Sequence, residues 1–159
     1  MRRIAVATVL CLLAGSAAAT PIAAKAGHVM TGCRFNPLDL SFGQYDVFDP
    51  SPTPMTGTLT WTCGKKHDDV ELALSPGDSQ NYRDRYMTNT LDPTQHLHYQ
   101  IFLDREYEQK WGNGFDDTSH VDIEKDEDEG NVRVFGIVFP RQDVKVGRYS
   151  DDLELIVNY

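Results

Sequence analysis

From Leu38 to Tyr159, apolar residues recur at every second position in one segment after another, and no segment carries the i, i+3, i+4 stripe of a long amphipathic helix. That period belongs to strands whose successive side chains point to opposite faces of a sheet. Leu38, Leu40 and Phe42 alternate with Asp39 and Ser41. Leu59, Trp61 and Cys63 alternate with Thr58, Thr60 and Thr62 in the cleanest strand of the sequence. Val70, Leu72 and Leu74 repeat the pattern, as do Leu97, Tyr99, Ile101 and Leu103 against His98, Gln100 and Asp104. In the final segment, Tyr149 to Tyr159, the residues Leu153, Leu155, Val157 and Tyr159 oppose Asp152, Glu154 and Asn158. Val132 to Phe139 is apolar at both parities, which predicts a central strand covered on both sides.

Turn chemistry separates these runs: Asp49 to Pro54, Ser75-Pro76-Gly77-Asp78, Asp92-Pro93, Gly112-Asn113-Gly114 and Gly130-Asn131. A single short helix within Asp104 to Lys110 is the only helical expectation. Asp116 to Glu129 holds eight acids against Lys125 and reads as a solvated loop or hairpin tip. Many short half-buried strands divided by turns predict an all-β, antiparallel sandwich or barrel.

The amino terminus has a different grammar. Arg2 and Arg3 precede an apolar run from Ile4 to Ala14, and small residues close on Ala17-Ala18-Ala19. This is the pattern of a secretory signal peptide over residues 1–19, too short in its apolar part for the ~20 residues of a retained membrane helix. Cleavage after Ala19 is expected, with Ala24-Lys25-Ala26 as a second site. Cys11 is preceded by Leu10, not by a small residue, and is expected to leave with the leader. In an oxidising compartment Cys33 and Cys63 then have one intramolecular pairing open to them, a disulfide; the alternatives are free thiols or half of a metal site. The residues from Thr20 onward make one domain. The formal charge of −9 falls to −11 without Arg2 and Arg3, which disfavours binding to nucleic acid or anionic lipid.

Few constellations point to chemistry. Asp122, Glu124 and Asp126 invite calcium, but Glu127 stands where an EF-hand needs glycine. His96 and His98 share one face of a strand, with His120 as a third candidate, and read as surface histidines in the absence of a full zinc ligand set. Trp111 is a candidate sugar-stacking residue or a plug for the end of a sandwich. No Gly-x-Ser-x-Gly elbow and no paired cysteine and histidine nucleophile is present, so no enzyme and no cofactor is expected.

Several blocks together resemble the spore coat protein U domain family, which includes archaic, Csu-type chaperone–usher pilins. These are Cys33-Arg34-Phe35, Leu40 to Tyr45, Gly57 to Cys63, Arg85-Tyr86-Met87, Leu97 to Phe102, Trp111 to Gly114, Val134 to Ile137 and Gln142 to Asp151. The resemblance covers residues 33–159. It implies an immunoglobulin-like sandwich that lacks its last strand, filled first by a periplasmic chaperone and then by the amino-terminal extension of the next subunit. On that reading, residues 20–32 are the extension, with Ile22, Ala24, Ala26 and Met30 as donor residues. Leu153, Leu155, Val157 and Tyr159 form the edge offered to chaperone or subunit, and Cys33 and Cys63 staple the domain.

The expected function is a secreted subunit of a surface fibre for adhesion or biofilm formation. It passes through the periplasm to the cell surface, its partners being a chaperone, an outer-membrane usher and neighbouring pilins, with no insertion in the membrane. The second expectation is a spore or cell coat protein that does not polymerise. The third is a secreted ligand- or metal-binding module.

Overall fold

A computed structural model describes residues 2–12, 32–64 and 67–159. The strands are β1 (Arg2–Leu12), β2 (Cys33–Phe35), β3 (Ser41–Gln44), β4 (Thr53–Cys63), β5 (Val70–Leu74), β6 (Arg85–Asn89), β7 (His96–Phe102), β8 (Val121–Ile123), β9 (Glu129–Val138) and β10 (Arg148–Asn158). One turn of 3-10 helix, Gly77–Ser79, is the only helical piece among the described residues. Hydrogen-bonded neighbours run β2-β4-β9-β7-β6-β10-β1-β3, with β5 joined to β10 and β8 to β5. Among the described strands every pairing is antiparallel except that of β1 with β3.

The ladder folds over on itself into two layers. Phe42 of β3, at one end of the strand order, packs edge-on against Tyr99 of β7 with ring centroids 5.7 Å apart. It also fills the space left by Gly136 of β9, where a Cβ would lie 3.0 Å from its ring and 2.9 Å from Met55. A side chain at position 136 would push the layers apart. The alternation seen in sequence is the burial pattern of the strands: Leu59, Trp61 and Cys63 of β4 point inward, while Thr58 and Thr62 stay exposed and Thr60 half-buried. The all-β antiparallel sandwich and its one disulfide, Cys33–Cys63, are as the sequence implied. Cys33 and Cys63 sit directly opposite each other in the β2–β4 ladder.

Four local expectations are corrected. Asp104 to Lys110 is a tight excursion with no helix: Asp104 carboxylate oxygens accept N–H groups of Glu108 and Gln109, Tyr107 takes φ 60°, and Leu103 N–H bonds Gln109 O. The side chain thereby satisfies the donors that a helix would have used. The acidic stretch is not all loop, because β8 runs through it, with Ile123 buried and Val121 half-buried beside β5. Leu38 and Leu40 are buried but precede β3, whose ladder starts at Ser41. In β9, central between β4 and β7, Val134, Gly136 and Val138 are buried while Phe135 and Ile137 are only half-buried; the second face lacks a covering layer.

Candidate strand-docking site

Strand β10 owes its length to the alternation of Tyr149, Asp151, Leu153, Leu155 and Val157, all inward and buried. One flank of β10 is shared by two short partners: β6 pairs with Tyr149 and Ser150, and β5 with Leu155 to Asn158. The other flank is taken by β1 along nearly its whole length, from Arg2 opposite Val157 to Leu12 opposite Arg148, with a register shift between Ala5 and Thr8. On its far side, β1 lies parallel to β3, with Leu10 opposite Ser41 and Leu12 opposite Gln44. The backbone of residues 2–12 therefore fills a slot with one antiparallel wall, β10, and one parallel wall, β3. Unpaired N–H and C=O groups on two such walls are a template for a strand.

Of the residues singled out in sequence, Leu153, Leu155 and Val157 lie in the antiparallel wall with their side chains in the core, and Tyr159, beyond the strand, is half exposed. The donor residues Ile22, Ala24, Ala26 and Met30 lie outside the described residues, as do residues 13–19 of the expected leader. Strand β3, the second wall, was legible only as part of a longer run that included Leu38 and Leu40.

Beneath the slot sits a polar network that sequence reasoning passed over. Asp151 occupies an inward position of β10; its Oδ2 accepts the Tyr99 hydroxyl at 2.6 Å and its Oδ1 the Asp78 N–H at 2.8 Å. Burial pushes the Asp151 carboxyl up and the Tyr99 phenol well up. The space for this carboxylate comes from Gly77 at φ +70°, where a Cβ would lie 2.2 Å from Asp151 Oδ2. Next to it Arg85 of β6 is fully buried and donates to the carbonyls of Ser75 at 2.9 Å and Trp111 at 2.8 Å, and to Gln100 Oε1. Its burial lowers its pKa. The available signal was Asp151 at a core parity among Tyr149, Leu153 and Leu155.

The other candidates resolve simply. Trp111 is buried and donates its indole N–H to Leu72 O at 3.1 Å, so it plugs the core. His96 and His98 flank the Tyr86 ring, and His98 pairs with Asp84 at 2.6 Å. His120 joins Glu71 and Asp122 across the β5–β8 ladder, while Asp122, Glu124 and Asp126 do not form a group among the described residues. The arrangement offers backbone pairing along a strand-shaped slot over a hydrogen-bonded, partly charged floor.

A family model described as the Spore Coat Protein U domain matches residues 18–155. Comparison with curated proteins gives no match. Among solved structures, the chain is similar to one in the CsuC–CsuE chaperone–tip adhesion subunit pre-assembly complex from archaic chaperone–usher Csu pili of Acinetobacter baumannii, with 18% identity and a TM-score of 0.54. That match covers 80% of this chain and 39% of the other, so the chain spans well under half the length of its counterpart. A second similarity is to the AfaE-3 adhesin from Escherichia coli, at 14% identity and TM-score 0.46 over 96% of this chain and 92% of that one.

Proposed function

The chain belongs to the Spore Coat Protein U domain family, and on that premise we propose that it is a secreted structural subunit of a chaperone–usher surface fibre, completed by donor-strand exchange and serving adhesion or biofilm formation. The observation that carries this reading is the slot between β10 and β3, which holds a strand in one defined direction. Residues 2–12 belong to the leader, residues 1–19, in this reading; export removes it and leaves both walls unpaired. A periplasmic chaperone covers the walls first, and the extension around Ile22, Ala24, Ala26 and Met30 of a neighbouring subunit replaces it at an outer-membrane usher. The role is structural, not catalytic. Among the described residues no helix is long and apolar enough to cross a membrane.

The attachment part of the proposal is supported at the end of the sandwich opposite the disulfide. Loops 45–52, 90–95 and 139–147 are tied together there by Gln142 N–H on the Tyr45 hydroxyl at 2.8 Å and Lys145 on Asp92 at 2.6 Å. From this braced platform Phe48 (88% exposed), Leu91 (88%) and Val146 (75%) project into solvent. Apolar side chains exposed together on the loops of one end suit contact with another surface.

The test is expression of the full chain with and without a candidate periplasmic chaperone, followed by unboiled electrophoresis of the secreted material under denaturing conditions. A ladder that collapses on heating is expected. A soluble, stable monomer made without a chaperone would overturn donor-strand assembly and favour a self-completed coat protein.

A further inference from the structure

The Cys33–Cys63 pair has a third companion. A ring nitrogen of His67 and the two Sγ atoms all lie within 4.8 Å of one another. All three residues are buried, His67 at 8% exposure. The backbone is shaped around them: Gly32, at φ +126°, lets the His67 backbone and Cβ approach closely, since a Cβ there would stand 3.0 Å from the His67 Cβ. Gly64 N–H closes on Gly32 O and holds the ends of β2 and β4 together beside the ring.

The tautomer of the neutral ring follows from its partners. Nδ1 lies 2.8 Å from the Asp68 carbonyl oxygen, which can only accept, so Nδ1 carries the proton. Nε2 is then a bare lone pair, buried and without a hydrogen-bond partner among the described residues. Leaving such an acceptor unsatisfied costs about 1–3 kcal/mol, and a native fold retains few of them. An imidazole oriented by Nδ1–H on a backbone carbonyl, with Nε2 free, is the arrangement that second-shell contacts impose on metal-binding histidines.

The chain is synthesised with both cysteines as thiols. We propose that in this dithiol state Cys33, Cys63 and His67 form a site for one thiophilic cation of the zinc type, held by two thiolates and one imidazole. Binding expels two thiol protons and changes no oxidation state. Zn–S bonds of about 2.3 Å and a Zn–N bond of about 2.0 Å set the ligand atoms roughly 3.5–3.8 Å apart. The fold holds the three ligand atoms within 4.8 Å of one another, so parting the two sulfurs and a side-chain adjustment of about 1 Å would bring the trio to that spacing. Two soft sulfurs and an imidazole select zinc or copper(I) over calcium or magnesium. The ion and the disulfide exclude each other, so the two strand ends have alternative staples before and after oxidation.

The experiment uses the full chain carrying Cys11→Ser, so that Cys33 and Cys63 are its only thiols, reduced with a non-coordinating phosphine and titrated with cobalt(II) and then zinc(II). The expected result is one cobalt per chain with a thiolate-to-cobalt charge-transfer band, displaced by one equivalent of zinc. Oxidised protein should give no such band, and its titration reads any binding at the exposed Glu71–His120–Asp122 cluster separately. His67→Gln should weaken cobalt binding at least about tenfold, while its oxidised form melts with the unsubstituted chain and so shows that the variant folds. No charge-transfer band in the reduced chain would overturn the proposal. So would a His67→Gln variant that binds as tightly as the unsubstituted chain, because the thiols would then be acting without the imidazole.

Discussion

Replacing Arg85 by methionine keeps an unbranched stem as far as the position of Nε and removes the charge and all the donors. In the folded chain the guanidinium joins three regions, reaching Ser75 O after β5, Gln100 Oε1 on β7 and Trp111 O in the following loop. The side chain is fully buried, so its three acceptors lie away from bulk solvent. Each carbonyl left without a donor costs about 1–3 kcal/mol, and breaking a buried charged network typically costs about 3–5 kcal/mol. Part of this is returned, since the guanidinium's own desolvation, visible in its lowered pKa, is no longer incurred. A net loss of about 3 kcal/mol is expected for Arg85→Met, or a melting temperature lower by roughly 10 °C for a domain of this size. Arg85→Lys keeps the charge but not the planar fork, and should lose about 2 kcal/mol. Urea unfolding of the oxidised chain, followed by tryptophan fluorescence, measures both. An Arg85→Met variant within about 0.5 kcal/mol of the unsubstituted chain would refute the reasoning, because the carbonyls would then be satisfied without the guanidinium.

Gly77→Ala should destabilise the chain by at least about 2 kcal/mol, since the new methyl collides with the Asp151 carboxylate at a left-handed backbone position; the same urea assay reads it. Replacing both Cys33 and Cys63 by serine should cost about 3–4 kcal/mol for a loop of this size, their sequence separation being 30. Asp151 and Asp92 should bend the pH profile in opposite senses. Burial raises the Asp151 carboxyl, so its ionisation works against the fold, and stability relative to Asp151→Asn should fall as pH rises from about 4 through the folded value. The hydrogen bond from Lys145, followed by those from Thr94, holds Asp92 down to about 2, so its contribution is present above about 4 and lost as pH falls through about 2; Asp92→Asn should flatten that acid limb. Melts between pH 2 and 7 distinguish the two.

Alternation was a faithful guide where one face met the core and the other met water, as in β4, where threonines face out and Leu59, Trp61 and Cys63 face in. It was less faithful where local side-chain chemistry decided the backbone. The Asp104 carboxylate converted an expected helix into a loop by taking the N–H groups of Glu108 and Gln109. In the acidic segment, charge masked the two apolar residues, Val121 and Ile123, that make β8. The slot was half visible: its wall β10 was the final alternating segment, whereas β3 is four residues long and its role depends on its pairing with β1, which in turn pairs with β10 at the far end of the sequence. Arg85 and Asp151 escaped because a buried charge looks in sequence like any surface charge. His67 escaped because its relation to Cys33 is tertiary.

The two walls of the slot run in opposite directions relative to its occupant, and this gives the molecule a sense of polarity. A strand entering the other way round would lie antiparallel to β3 and parallel to β10, exchanging the paired and the evenly spaced hydrogen-bond patterns between the walls and abandoning the observed register. A string of copies joined through such a slot has a head and a tail that are chemically distinct, an unfilled groove at one and an unused strand at the other. In the proposed fibre, the direction of the occupant's backbone would set the orientation of every copy.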